Sequence, residues 1–178
     1  MRTVLATVAA LLLLAPASAQ AKTYGATDLT LDPGAAAALT SLGVTPAPIA
    51  PATVTRSGAL SFPITSKPLG ALLSGTIKHS GGISLTAGST TVKLERFYID
   101  PFRRQLTAEV GGARVPILTL DFSRTRAGFS GGTLKLGPVG GSLTTVAAGA
   151  LDSAFGLPAG TIPPGLKLGD ATVRYRIF

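Results

Sequence analysis

The chain contains one histidine, no cysteine and no tryptophan, and it carries only eight carboxylate side chains. The histidine, His79, lies in the segment Gly75-Thr76-Ile77-Lys78-His79-Ser80-Gly81-Gly82-Ile83-Ser84-Leu85. Imidazole is the side chain that most readily exchanges a proton near neutral pH, and it is also a common metal ligand. Most catalytic or metal-binding interpretations of this chain therefore depend on His79.

The other chemically suggestive residues do not form a catalytic pattern. Gly128-Phe129-Ser130-Gly131-Gly132 has the spacing of a nucleophile elbow, but an α/β-hydrolase needs its histidine after the serine and a helix behind the elbow. A zinc site needs three or four nitrogen or sulfur ligands, and one imidazole without any thiolate cannot supply them. Asp100 and Asp121 are better explained as aspartates at strand ends than as a glycosidase pair. We therefore expect no catalytic residue and no enzyme.

The first residues have the pattern of a secretory signal. Arg2 supplies a basic start, Thr3–Leu14 an apolar centre, and Pro16 interrupts a helix before a run of small residues. Cleavage after Ala19 or after Ala21 satisfies the small-x-small rule equally well. The apolar run is shorter than the roughly 20 residues that span a bilayer. We expect a secreted or cell-envelope protein without a transmembrane segment after cleavage.

Once the signal, residues 1–21, is removed, residues 22–178 are long enough to form one domain with a hydrophobic core that needs no disulfides. The formal net charge of +8 falls to +7 when Arg2 leaves. A basic exported protein favours anionic surroundings, so anionic cell-wall polymers, lipid headgroups or acidic ligands are expected as partners rather than nucleic acid. The simpler alternative is a basic, soluble surface without a specific partner.

The residue pattern predicts a mainly β domain. The 22 glycines and 13 prolines separate short segments that are rich in Val, Ile, Leu, Thr and Phe. Thr91–Ile99 alternates most clearly, and Gln105–Val110 and Val115–Phe122 follow it, with Gly111-Gly112 as a hairpin turn between them. A last strand shows the same alternation, with one face formed by Val173, Tyr175 and Ile177.

Two alanine-rich segments interrupt the strands and resemble each other. Residues 33–42 follow the capping residue Asp32, residues 145–155 follow the capping residue Thr144, and each segment ends at a glycine. Each therefore predicts a helix of about three turns. The expected fold is an antiparallel, two-sheet β-sandwich-like domain with two short helices.

Four segments match the order of elements in a known domain family. They are Thr76–Leu85, Phe97–Val110, Val115–Ser123, and an alanine-rich helix that opens at Leu143-Thr144 and ends at Phe155-Gly156. Through them the chain, from Gly58 to about Val173, resembles the HtaA-type domain of secreted and surface haem-uptake proteins of actinobacteria. The resemblance implies a β-rich, sandwich-like domain that binds haem through an axial tyrosine, which a histidine supports by hydrogen bonding.

His79 occupies the position of the family's histidine, but the segment that corresponds to the tyrosine-bearing helix, 33–42, has no aromatic residue. The resemblance therefore leaves three alternatives: His79 ligates the iron directly, Tyr24 reaches it from the N-terminus, or haem binding has been lost and His79 caps a turn. Arg103 or Arg104 would pair with the propionates.

We therefore expect a secreted ligand-binding module whose ligand is haem or another planar, anionic, apolar molecule. The alternative is a structural cell-envelope protein without a small-molecule site. A Soret band on addition of hemin discriminates between the two.

Overall fold

Strands dominate the computed structural model, which describes residues 22–67 and 75–177. Strand accounts for 54% of the structure and helix for 13%, which confirms the predicted mainly β fold with two short helices. The predicted signal, residues 1–21, lies outside the described residues. The elements are β1 Gly25–Leu31, α1 Pro33–Ser41, β2 Thr45–Ile49, β3 Thr53–Val54, β4 Leu60–Pro63, β5 Ile77–Lys78, β6 Gly82–Ala87, β7 Thr90–Asp100, β8 Gln105–Val110, β9 Ala113–Asp121, β10 Arg126–Ser130, β11 Thr133–Leu143, α2 Thr145–Ala154 and β12 Lys167–Arg176.

Within the described residues, the strands form one 12-stranded antiparallel sheet. Ten of them follow the order β2-β6-β7-β8-β9-β11-β12-β1-β4-β3, while β10 pairs with β11 and β5 pairs with β7. The expected two-sheet sandwich is not confirmed, because this single sheet curls until it is nearly closed into a barrel. Alternating strands bury one face in either architecture, so their residue pattern does not distinguish the two. None of the described helices is long and apolar enough to cross a membrane.

His79 lies where the curled sheet meets itself. A bridge between Ile64 and His79 joins the end of β4 to β5, and β5 pairs with β7. The His79 backbone N–H donates to Phe97 O at 2.9 Å, and the Ser80 N–H donates to Pro63 O at 3.0 Å. The ring therefore runs through eight strands, β7-β8-β9-β11-β12-β1-β4-β5, and returns to β7.

A β-bulge in β7 lies at this closure. Up to Glu95 the strand pairs with β6, and from Tyr98 it pairs with β5. The extra residue, Arg96, has a φ of 49° and forms an ion pair with Glu109. The insertion changes the alternation, so that the buried positions shift from Leu94 to Phe97. The bulge thereby turns Phe97 toward the interior, beside His79.

Both helices lie at one end of the barrel, the helix end. Helix α1 follows β1 and α2 precedes β12, and these strands meet there through the pairing of Leu31 with Gly169. The predicted caps are confirmed: Asp32 accepts from Gly34 N at 2.9 Å, and Thr144 accepts from Ala147 N at 3.1 Å. Gly43 and Gly156, with φ values of 64° and 65°, follow the helices as predicted.

The opposite end, the hairpin end, carries the β7–β8 turn Pro101–Arg104 and the β10–β11 hairpin.

The predicted hairpin around Gly111-Gly112 is confirmed, with φ values of 57° and 87° at the two glycines. The predicted alternation of the last strand is also confirmed for the residues inside it, with Val173 and Tyr175 buried and Arg174 exposed.

Candidate functional site

The barrel encloses a cavity of about 860 Å³. Inward-facing side chains of the strands line it, together with one face of each helix, and most of them are aliphatic. Several apolar residues remain only half-buried because they face this space; they include Leu29, Leu39, Leu106, Val110 and Val115. Protein interiors contain few voids larger than a water molecule, so the cavity is unusually large for a domain of this length.

The cavity approaches the surface mainly at the helix end. The exposed residues along its wall there are Thr91, Lys93, Gly111, Gly112, Ala150 and Ala154. The first four lie near the tips of the β6–β7 and β8–β9 hairpins, and the last two lie on α2. A ligand would therefore enter between these hairpins and the helix.

One buried polar pair interrupts the apolar wall. His79 is 3% exposed and Thr27 is 5% exposed, and the His79 Nε2 atom lies 2.7 Å from Thr27 Oγ1. The other ring nitrogen, Nδ1, lies 3.1 Å from the carbonyl oxygen of Phe97. A carbonyl oxygen only accepts, so Nδ1 carries the proton. Nε2 is then the acceptor, and the Thr27 hydroxyl donates to it.

Burial lowers the pKa of His79 from 6.5 to about 4, although the carbonyl groups of Phe97 and Ile77 act in the opposite direction. The low-dielectric surroundings penalise the charged imidazolium more than these two carbonyls stabilise it. His79 is therefore neutral at physiological pH. A neutral imidazole can accept a hydrogen bond or ligate a metal through its Nε2 lone pair.

Aromatic rings flank the His79–Thr27 pair. Phe62 and Phe97 both line the cavity and pack edge to face, with ring centroids 5.0 Å apart and planes at 80°. Ile77 and Ile99 complete this part of the wall. The arrangement offers the Thr27 hydroxyl and the His79 Nε2 atom, which can ligate a metal, within an apolar, partly aromatic surface.

The other predicted haem contacts do not line the cavity. Tyr24 is half-buried against Ile64 and Tyr175, with its ring centroid 5.7 Å from the Lys22 ammonium. Arg103 is exposed on the β7–β8 turn, where it forms an ion pair with Asp100, and its neighbour Arg104 is exposed too. Of the predicted site residues, the structure brings only His79 to the cavity.

Thr27 belongs to the site although nothing in its sequence neighbourhood predicts this. It lies on the same face of β1 as Leu29 and Leu31, and all three line the cavity. A hydroxyl on an otherwise aliphatic strand face is a weak signal, because its partner His79 is 52 residues away and is found only in the fold.

The elbow-like segment is not assembled with the histidine. Ser130 is exposed on β10, while the side-chain nitrogens of His79 are bonded to Thr27 and Phe97. Asp121 accepts hydrogen bonds from the backbone and hydroxyl of Ser123, which lower the pKa of this carboxyl. Within residues 22–67 and 75–177, no three His, Cys, Asp or Glu side chains gather in a group that could hold a metal ion.

No protein-family model matches the chain, and no curated protein sequence matches it. The resemblance to HtaA-type domains therefore stays a prediction.

Replacing Thr27 with valine should lower the free energy of unfolding by about 1–3 kcal/mol, because it leaves the buried Nε2 acceptor of His79 without a donor. Thr30→Val, at an exposed position on the same strand, is the matched control and should change stability by less than about 0.5 kcal/mol. Urea unfolding monitored by circular dichroism measures both. Equal effects of the two substitutions would contradict a stabilising role for the Thr27–His79 bond.

Proposed function

We propose that this domain is a secreted binding module that holds an apolar small molecule inside its barrel. The cavity of about 860 Å³ with its aliphatic wall carries the proposal. Ligand cavities are typically about 300–1,000 Å³, and closed barrels of about eight strands have room for one small ligand.

An occupied barrel should be more stable than an empty one, which favours a binding role over a purely structural role. The aliphatic side chains that line an unfilled cavity have no apolar contacts on their inner side, so they forfeit the dispersion contacts that a packed core would make. An apolar occupant that restores contacts with the wall should therefore stabilise the fold strongly.

The chemistry of the wall limits the ligand. A charged group inside would find the neutral His79 and the Thr27 hydroxyl as its buried polar contacts, so the buried part of the ligand is uncharged. Its charged groups, where it has any, stay at the opening. Haem satisfies both conditions because its macrocycle is apolar and its carboxylates lie on one edge.

The hydrogen bond from Thr27 defines how haem would engage His79. Nε2 accepts from Thr27, so direct ligation of iron requires that the hydroxyl turn away. Thr27→Val removes this competition and should strengthen hemin binding if His79 is the axial ligand. A histidine ligand without a tyrosinate should bind more weakly than tyrosine-ligated relatives do, and His79→Ala should remove most of the binding.

Titration tests the proposal at two levels. The wild type, His79→Ala, Thr27→Val and Tyr24→Phe are titrated with hemin and, separately, with an uncharged fluorophore that brightens in apolar surroundings. Saturable fluorophore binding that hemin displaces supports the cavity as the haem site. If His79 ligates iron, its loss shifts the Soret maximum; if it only supports another ligand, affinity falls about 10- to 100-fold without a shift. A shift with Tyr24→Phe would instead assign Tyr24.

Saturable fluorophore binding without a Soret change would reject haem and retain another apolar ligand. If a folded wild-type protein binds neither probe, the binding-module proposal fails and the structural cell-envelope role replaces it.

A further inference from the structure

The outer face of the hairpin end concentrates positive charge. Lys135 on β11 lies directly opposite Arg174 on β12, and strand alternation places Arg126 and Arg176 on the same face. Like charges in directly opposed positions destabilise a sheet. Among the described residues, Arg174 has an acidic partner, Asp28, at 2.6 Å, whereas Lys135, Arg126 and Arg176 form no ion pair. This arrangement is suited to an anionic partner.

A shallow pocket of about 330 Å³ lies within this basic face. Lys135, Arg174, Ser130 and Thr133 line it, and Gly128 leaves its floor open because no atom lies within 4 Å of the position that a Cβ would occupy. In the described part of the chain, the hydroxyls of Ser130 and Thr133 have no hydrogen-bond partner. Two cations and two free hydroxyls suit the oxygens of a phosphate group.

Exposed apolar side chains extend from the same end. Phe129 is 60% exposed and pairs with Leu134, so it extends from the face of the β10–β11 hairpin opposite to Lys135. Ile177, which is 37% exposed, donates its backbone N–H to Gly132 at the hairpin tip. Phe102 is 82% exposed on the β7–β8 turn, directly before Arg103 and Arg104. This turn adjoins the β9–β10 connection, because Arg104 O accepts from Leu120 N at 2.8 Å.

We propose that the hairpin end docks the domain on an anionic lipid bilayer. Lys135 and Arg174 bind a lipid phosphate in the pocket, while Phe129 and Phe102 enter the boundary between headgroups and acyl chains. Cations combined with exposed aromatic residues are typical of interfacial binding. A wall polymer would match the charge but would offer no apolar phase for the phenylalanines. None of these four residues lines the cavity, so docking does not depend on the ligand.

Sedimentation with vesicles tests this docking. Protein is mixed with vesicles of phosphatidylcholine alone or of phosphatidylcholine with phosphatidylglycerol, and the bound fraction is measured at low and high salt. We expect salt-sensitive partitioning that requires phosphatidylglycerol. Each cation near an anionic leaflet contributes about fivefold in partitioning, so Lys135→Ala/Arg176→Ala should lower it about 25-fold. Phe129→Ser should lower partitioning at both salt concentrations.

The matched control is Val54→Ser/Arg56→Ala, which removes an exposed aliphatic side chain and an exposed cation from β3 and the turn that follows it. It should leave partitioning unchanged. Absence of partitioning, equal partitioning to both vesicle types, or an equal loss in the control would overturn the proposal. Binding of an isolated anionic wall polymer or of inorganic phosphate without vesicle partitioning would also overturn it and would assign the basic face to a soluble polyanion.

Discussion

Ala171→Trp is expected to weaken ligand binding by about tenfold or more while raising the free energy of unfolding of the empty protein by about 0.5–2 kcal/mol. Ala171 lies on β12 between Leu29 of β1 and Val139 of β11, and all three line the cavity. An indole at this position projects into the lumen, gains contacts with an aliphatic wall, and occupies the volume that a ligand would take. In a packed core, replacing a small side chain with a large one usually lowers the free energy of unfolding. An increase on Ala171→Trp would therefore indicate empty space beside this residue.

The measurement is simplified by the absence of tryptophan from the natural chain. Emission of the introduced indole should be blue-shifted by its apolar surroundings, and urea unfolding can be followed at the same wavelength. Thr119→Trp, at an exposed position on β9, is the control and should show solvent-exposed emission with unchanged affinity. If Ala171→Trp is destabilised and still binds like the wild type, the barrel interior is not the binding site.

Local sequence patterns predicted the elements of this fold but not their closure. The alternation in Thr91–Ile99 and the helix caps at Asp32 and Thr144 are signals between residues that are close in the sequence. The structure confirms the strand β7 and both helices that these signals predict. The choice between a sandwich and a barrel depends on the pairing of Ile64 with His79 and on the bulge at Arg96. Such long-range register leaves little trace in an alternating pattern, because strands bury one face in both architectures.

The site was predictable only where residue type alone carried information. His79 stands out as the single imidazole, and the structure places it at the cavity with a neutral ring. Its donor Thr27 is one of many threonines, and nothing local marks it. Tyr24 and Arg103 were assigned through a family resemblance, but which residues face the lumen depends on strand register and turn geometry.

Acidification should destabilise the folded protein through His79. The pKa of this imidazole is about 4 in the folded state, against 6.5 for an unperturbed histidine. Above about pH 6.5 neither state binds the proton, so His79 does not affect stability there. As the pH falls from 6.5 towards 4, the unfolded state takes up a proton that the folded state excludes, and the free energy of unfolding declines. The full loss, reached below the folded pKa, is about 3 kcal/mol.

His79→Gln isolates this contribution, because its amide can donate to the Phe97 carbonyl and accept from the Thr27 hydroxyl but does not titrate. Urea unfolding of both proteins between pH 7 and pH 4 should show a difference in stability that shrinks by most of this amount on acidification. The carboxylates titrate in both proteins, so their effect cancels in the difference. Parallel curves would mean that His79 titrates alike in the folded and unfolded states. Its ring would then be accessible to water, and the dry, neutral site inferred for the ligand would not exist.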